Sequence, residues 1–167
     1  MASPTSISAV ESKDISILYY TRSGGQIASL TSQKSGEDPK NPEYVTANVM
    51  LGGNTVSAAA PQVTAVAYTL NDSREIRLYY IDGNDQDGYQ LKELCKTNDG
   101  DWYDGTLNDN GVTATKDSLL AANVEDGQGD LKVFFQRQKG GNKDTWVAWV
   151  VLGQTTWSQR KVYSGTY

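Results

Sequence analysis

The residues that could perform chemistry in this chain are its acidic and basic side chains, because histidine is absent and cysteine occurs once, at Cys95. Without histidine the chain lacks the usual general base and the serine–histidine relay. A zinc site needs His or several Cys ligands, so none is expected. The 20 Asp and Glu residues leave glycoside hydrolysis open, which requires two carboxylates about 5–10 Å apart. Most of these acids fall in Gly- and Asn-rich turns, and we therefore expect neither an enzyme nor a cofactor.

One acidic turn, from Asp82 to Gly88, has part of the spacing of a calcium-binding loop. Oxygen-bearing side chains alternate at its start, and Glu93 falls at the twelfth position. The sixth position of the helix–loop–helix calcium motif is a glycine, whereas here it is Asp87. The flanking segments also have the pattern of strands. The sequence therefore predicts an acidic hairpin turn without a metal.

The elements that must position any site are strands, and they recur in three units of about 5–60, 61–117 and 118–167. The second strand of each unit makes the repeat visible. Leu78 lies 60 residues after Leu18, and Val133 lies 55 residues after Leu78; each is followed by two aromatic residues. A period of roughly 40–60 residues with about four strands is typical of a propeller blade. We predict one domain made of three such repeats.

The second strands of the units carry apolar groups on both alternating faces, as expected of sheets that are covered on both sides. We therefore predict an all-β chain of three four-stranded propeller blades. Propellers typically close with about four to eight blades, so three blades cannot close alone. A homodimer that forms a six-bladed propeller through one two-fold interface is the simplest solution. A β-sandwich is the alternative fold.

The second unit carries the clearest motif. It consists of Ile76-Arg77-Leu78-Tyr79-Tyr80, a turn, Leu91-Lys92-Glu93-Leu94, and then Trp102-Tyr103-Asp104-Gly105. This order of Arg, Glu and Trp-x-x-Gly on successive strands resembles the repeat of the fungal fucose-specific lectins of the Aleuria type, which are β-propellers. The second unit matches that repeat well, and the other two units match it as degenerate copies.

The resemblance implies a sugar site between neighbouring blades. In that family, Arg and Glu of one blade bind the sugar, and an aromatic residue of the next blade stacks on it. Transferred by position, the site consists of Arg77, Glu93 and Trp157, which aligns with Trp102. The chemistry is reasonable, because a guanidinium donates and a carboxylate accepts hydrogen bonds from hydroxyl groups. An aromatic ring covers the apolar face of a deoxy sugar.

The other two units depart from the motif. In the first unit, Ile17 stands at the Arg position and Ser29 near the Glu position. In the third unit, Lys132 replaces Arg, and Ala148 or Trp149 replaces Glu; Lys keeps the charge but loses the bidentate fork. We therefore expect one sound site per chain and a weak one across the subunit interface. The further candidate sugar-binding residues are Trp102, Lys132 and Trp149.

The same residues also allow simpler interpretations. Arg77 and Glu93 could form only a cross-strand ion pair, and Trp157 could be packing core. The predicted function is a lectin that recognises fucose or fucosylated glycans without turnover. The alternatives are a propeller-type glycoside hydrolase and a protein–protein interaction module that binds through an aromatic patch.

Composition narrows the range of partners. The net charge of −5 argues against nucleic acid, and no apolar run approaches the roughly 20 residues of a membrane span. The segment Met1-Ala2-Ser3-Pro4-Thr5 lacks the pattern of a signal peptide, and a single cysteine agrees with a reducing compartment. We expect a cytoplasmic protein, or one released without a signal, whose partners are glycans and a second copy of itself.

Overall fold

Runs of β-branched and aromatic residues form the strands of the chain, as these side chains favour a pleated, half-buried surface. The computed structural model describes residues 6–36, 44–125, 129–139 and 141–164. Its strands form three antiparallel sheets and a short hairpin. Each sheet is built on four consecutive strands, and the second sheet has a short fifth strand. The first sheet contains β1 (Ile7–Ser12), β2 (Ile15–Thr21), β3 (Ile27–Ser32) and β4 (Tyr44–Asn48).

The hairpin and the second sheet follow in the chain. The hairpin pairs β5 (Met50–Leu51) with β6 (Asn54–Thr55). The second sheet contains β7 (Val63–Leu70), β8 (Ser73–Asn84), β9 (Gly88–Thr97) and β10 (Tyr103–Asp104), and the short β11 (Thr113–Ala114) also pairs with β9. A 3-10 helix at Thr106–Asn110 lies between β10 and β11.

The third sheet completes the described chain. It contains β12 (Ala121–Val124), β13 (Asp130–Lys139), β14 (Asn142–Val151) and β15 (Ser158–Ser164). The prediction of an all-β chain is confirmed. The hairpin and the 3-10 helix were not predicted. Within the described ranges, no helix is long and apolar enough to cross a membrane.

The second sheet lies between the other two and is buried on both faces. Along β8, Leu78 and Tyr80 pack against the first sheet, whereas Tyr79 and Ile81 pack against the third. Two hydrophobic cores result, one on each side of the second sheet. This placement explains why β8 lacks the alternation of a sheet that has one wet face.

The first strands of the three sheets lie side by side. Strand β7 contacts β1 on one side and β12 on the other. The backbone N–H of Ala65 in β7 also donates to the Ser8 hydroxyl in β1 at 2.9 Å. The three sheets therefore follow one another around their first strands, and a cleft opens between each pair of neighbouring sheets.

Candidate functional site

A cavity of about 240 Å³ lies between the second and third sheets. The predicted site residues Arg77 and Glu93 line it from β8 and β9, and Trp157 lines it from the position just before β15. Arg77 and Tyr79 are two residues apart on β8, so their side chains lie on the same face of the sheet. Glu93 lies on that face too, because it pairs with Tyr79 across the two strands. The three predicted residues therefore meet in one cavity.

Glu93 lies at the base of this cavity and is only 2% exposed. Its carboxylate accepts hydrogen bonds from the Tyr79 hydroxyl at 3.0 Å and from the Leu107 backbone N–H at 3.2 Å. The Asn108 side chain bonds to the backbone N–H and C=O of Glu93, at 2.8 and 3.0 Å. The 3-10 helix thus fixes both the backbone and the carboxylate of Glu93.

Gly105 explains the glycine of the Trp-x-x-Gly motif. A Cβ atom at this position would lie 2.0 Å from Oε2 of Glu93, far inside the usual contact distance of about 3.5 Å. The backbone of Gly105 has an extended conformation that any residue adopts. The glycine is therefore required for space and not for its conformational freedom.

The surroundings of the Glu93 carboxyl group have opposing effects on its pKa. Burial raises its pKa, while the Arg77 guanidinium, the Leu107 N–H and the Tyr79 hydroxyl lower it, and the net pKa is above the usual 4.5. A carboxylate has roughly four lone-pair positions, and the two protein donors leave room for further donors. The group can therefore accept hydrogen bonds from a ligand in the cavity.

Arg77 is held by neighbours other than Glu93. Its Nε donates to the Tyr68 hydroxyl at 2.9 Å, and an Nη lies 3.2 Å from the Glu75 carboxylate. The simple interpretation of a direct Arg77–Glu93 ion pair is therefore wrong, and the partner in the ion pair is Glu75. Since a guanidinium has five N–H donors, these contacts orient it and leave donors for the cavity.

Trp157 supplies the aromatic wall. Its ring lies edge-on to Tyr79, with 6.3 Å between ring centroids, and its Nε1 donates to the Thr106 hydroxyl at 3.1 Å. The residue is 7% exposed and is part of the core between the second and third sheets. It is thus both a packing residue and a rigid wall of the cavity.

Sequence reasoning missed several residues around the cavity. Residues 153–155, in the loop between β14 and β15, line it, as does Tyr68. Cys95, which pairs with Arg77 across the strands, also lines it and is 1% exposed. Burial raises the pKa of its thiol to about 12. The only signal in the sequence for the loop was its closeness to Trp157.

Trp102 lies in the corresponding place between the first and second sheets. Its ring is edge-on to Tyr19, with 5.9 Å between centroids, just as Trp157 is edge-on to Tyr79. It lines a second cavity of about 390 Å³, together with Ile17. Ser29 pairs with Tyr19, so the Glu position here is a serine. Trp102 therefore faces the incomplete partner that the sequence predicts.

Lys132 and Trp149 are not part of either cavity. They pair across β13 and β14, on the face of the third sheet that is turned away from the second sheet. The Lys132 ammonium lies 3.5 Å from Glu125 and 3.9 Å from Asp130. Within one chain these two residues are thus separated from Arg77 and Glu93.

The predicted replacement of the Glu by Ala148 or Trp149 in the third unit is wrong. Val147 pairs with Phe134 in the way that Glu93 pairs with Tyr79. Ala148 points into the core, because a shift of one residue along a strand moves a side chain to the opposite face. The third sheet therefore has a buried valine where the second sheet has its carboxylate.

A scan against models of known protein families finds no match for this chain, and a search of curated protein sequences finds none either. Among the described residues, no group of three or more His, Cys, Asp or Glu side chains is arranged to hold a metal ion.

Proposed function

We propose that this chain is a sugar-binding protein, a lectin that recognises fucose or fucosylated glycans without turnover in the cavity between its second and third sheets. One observation carries the proposal: a half-buried guanidinium, a buried carboxylate and a tryptophan ring, drawn from two sheets, line the same small cavity. A sugar presents hydroxyl groups that both donate and accept, and an apolar C–H face. Arg77, Glu93 and Trp157 complement these features in turn.

The size of the cavity favours a small ligand. Its volume of about 240 Å³ lies below the roughly 300–1,000 Å³ of sites for drug-sized ligands. Its walls also include the apolar side chains of Leu131 and Val150. A single deoxy sugar, with one methyl group and a ring of hydroxyl groups, suits this combination of walls.

Calorimetric titration with L-fucose, D-galactose and D-mannose tests the proposal. We expect saturable binding of L-fucose and a loss of about 10- to 100-fold in affinity in Arg77→Ala, as removal of charge-assisted hydrogen bonds implies. Arg77→Lys, which keeps the charge beside Glu75, should also weaken binding, because it lacks the fork. Arg22→Ala, in the exposed turn after β2, is the matched control. Equal affinity in the folded Arg77 variants and the wild type would refute the site.

Glycoside hydrolysis is the second candidate, since two carboxyl groups, of Glu93 and Asp104, line the cavity. The two groups have different environments: Glu93 is buried, and Asp104 is exposed and accepts a hydrogen bond from Asn108 at 2.8 Å. Such an asymmetric pair is what acid–base catalysis on a glycoside uses. Release of nitrophenol from an aryl α-L-fucoside, absent in Glu93→Gln, would identify an enzyme.

We also propose that the three sheets are blades of a propeller. Each sheet contains an antiparallel succession of four strands, and the first strands of the sheets are neighbours, as in blades around an axis. Three successive sheets, in which the middle one is buried on both faces, favour this arrangement over a two-sheet sandwich.

A second copy of the chain is the proposed means of closing the propeller. The outer face of the first sheet carries Ile7, which is 64% exposed, and Tyr20. Tyr80 is the equivalent of Tyr20 in the second sheet. It is only 6% exposed, because the first sheet covers it. The outer face of the third sheet carries Phe134 at the place of Tyr79. The outer faces of the first and third sheets could therefore pack against each other between two chains, in the same way that neighbouring sheets pack within one chain.

The mass of the protein in solution tests this closure. A dimer has twice the chain mass of 18.2 kDa. We expect light scattering to give the dimer mass for the wild type, and Ile7→Lys to give the monomer mass, because the charge falls on the outer face of the first sheet. A monomeric wild-type protein would rule out the six-bladed assembly and leave the site between the second and third sheets untouched.

A further inference from the structure

The second cavity, of about 390 Å³ between the first and second sheets, has a chemistry of its own. Tyr19 and side chains of β3 line the cavity from the first sheet. Arg74, Lys96 and Trp102 line it from the second sheet. Since Ile17 and Ser29 stand where the other cavity has its Arg and Glu, the donor–acceptor pair of the proposed fucose site is missing. Two cationic side chains stand on the opposite wall instead.

Arg74 is the first of the two cations and is half-buried. Its side chain is 15% exposed, and its only ion-pair partner in the described part of the chain, Asp99, is 87% exposed. Its Nε is buried and has no hydrogen-bond partner among the described residues. A buried donor without an acceptor is unfavourable. An anionic oxygen that entered the cavity would accept a hydrogen bond from the Arg74 Nε. It would also compete with Asp99 for Arg74, because the exposed Asp99 carboxylate can be solvated by water instead.

Lys96 adds a second positive charge. Its ammonium lies 5.9 Å from the centroid of the Trp102 ring, and it makes no ion pair within the described ranges. The hydrogen bond from Arg74, the charge of Arg74, and the charges of Lys13 and Lys96 lower the pKa of Asp99. Three cations therefore act on a single exposed carboxylate, and the local field favours a further anion.

The remaining walls suit a saccharide and not a bare ion. Trp102 and Tyr19 form an edge-to-face pair at 5.9 Å between centroids, with Ile17 beside them, which gives an apolar wall. Ser29 and Thr31 bring hydroxyl groups from β3. An aromatic wall against a hydroxyl-bearing wall is an arrangement that can take a sugar ring between them.

We propose that this cavity is a second, separate binding site for an acidic saccharide such as a uronic acid, whose carboxylate is held by Arg74 and Lys96 while its ring lies against Trp102. It differs from the proposed fucose site in its residues, in its place in the fold and in the charge of its ligand. One chain would then hold two sugars of different charge, and together they would select glycans that carry both.

Calorimetric titration with D-glucuronate, D-glucose and acetate tests the proposal. We expect D-glucuronate to bind at least about tenfold more tightly than D-glucose, the factor expected for a charge-assisted hydrogen bond. Acetate should bind more weakly than D-glucuronate, because it lacks a ring to stack on Trp102. Equal affinity for D-glucuronate and D-glucose would overturn the proposal. Equal affinity for acetate and D-glucuronate would also overturn it, because the cavity would then be an anion site only.

Two variants with opposite expected effects sharpen the test. Arg74→Gln should lose about tenfold in affinity for D-glucuronate, again the loss of a charge-assisted hydrogen bond. Asp99→Asn should gain affinity, because it removes the carboxylate that competes with the ligand; it changes an exposed side chain and should fold normally. Lys116→Gln, on an exposed lysine in the loop before β12, is the control for loss of one positive charge. Weaker binding by Asp99→Asn would contradict the proposal.

The two sites can be told apart with one further variant. Arg77→Lys should lose affinity for L-fucose and keep its affinity for D-glucuronate, and Arg74→Gln should do the reverse. Failure of L-fucose to bind would therefore leave the acidic site standing. Loss of D-glucuronate binding in Arg77→Lys, with Arg74→Gln unaffected, would overturn the assignment of the acidic ligand to the second cavity.

Discussion

Replacement of Gly105 by alanine places a methyl group in the space that the Glu93 carboxylate fills. The new Cβ atom would lie 2.0 Å from Oε2 and 2.4 Å from both Cδ and Cγ of Glu93. Since carbon–oxygen contacts need about 3.5 Å, the carboxylate has to move by roughly 1.5 Å. That movement breaks its hydrogen bond with the Leu107 N–H, at 3.2 Å.

The cost of the substitution follows from these two effects. Overpacking of a buried site costs about 1–3 kcal/mol, and the loss of a hydrogen bond to a charged group costs about 1.5–3 kcal/mol. Because part of the strain relaxes as the bond breaks, we expect Gly105→Ala to lower the free energy of unfolding by about 2–4 kcal/mol. For a chain of this size that corresponds to a fall in Tm of roughly 5–15 °C.

Urea and thermal unfolding, followed by circular dichroism, measure this effect. Gly24→Ala is the matched control, because its nearest neighbour would be the Gln26 side chain at an ordinary 3.5 Å, and its expected effect is within about 0.5 kcal/mol. In a Glu93→Ala background the clash disappears, so Gly105→Ala should cost about 1–3 kcal/mol less there. An equal cost of Gly105→Ala in both backgrounds would refute the role assigned to the glycine.

Two further predictions concern titratable groups in the same cavity. Burial holds the pKa of Glu93 above its usual 4.5, so the folded chain binds that proton more tightly than the unfolded chain. The stabilisation contributed by Glu93 is therefore complete below about pH 4.5 and is lost as the pH rises through the raised pKa. Urea unfolding at successive pH values should show that the free energy of unfolding depends less steeply on pH in Glu93→Gln than in the wild type. An equally steep dependence in the two proteins would contradict this. Cys95 is 1% exposed and its pKa is raised to about 12, so a thiol reagent at about pH 8 should modify it only in denaturant; fast labelling of the native protein would contradict the burial.

The grouping of Arg77, Glu93 and Trp157 was predicted from the resemblance to the lectin repeat, and the order of the strands and the alternation along them explain it physically. Alternation along two adjacent antiparallel strands places Arg77 and Glu93 on the same face of the second sheet. Because consecutive sheets are neighbours in space, Trp157 of the third unit lies against that face. Both rules hold in the structure. The all-β class follows from the same strand-like runs.

The partners of these residues could not be predicted, because one set lies in an irregular segment and another lies on the same strand as Arg77. The 3-10 helix that holds Glu93 through Leu107 and Asn108 has no periodic pattern in its five residues. Glu75, the ion-pair partner of Arg77, lies two residues before it on the same strand, and sequence reasoning looked only at the neighbouring strand.

The register of the third sheet could not be predicted either. Val147, Ala148 and Trp149 are all apolar, so the sequence offers no alternation by which to tell which of them faces outward. Only the pairing of Phe134 with Val147 settles which residue takes the place of Glu93. Ambiguity of this kind is expected wherever a strand is apolar on both faces.

The central claim is that a sugar binds between the second and third sheets, against Trp157. A crystal structure of the protein grown with saturating L-fucose tests it most directly. We expect the sugar in the cavity of about 240 Å³, with its apolar face on the Trp157 ring and its hydroxyl groups on Arg77 and Glu93. A cavity without sugar at saturating concentration, or a sugar bound only elsewhere on the chain, would contradict the claim.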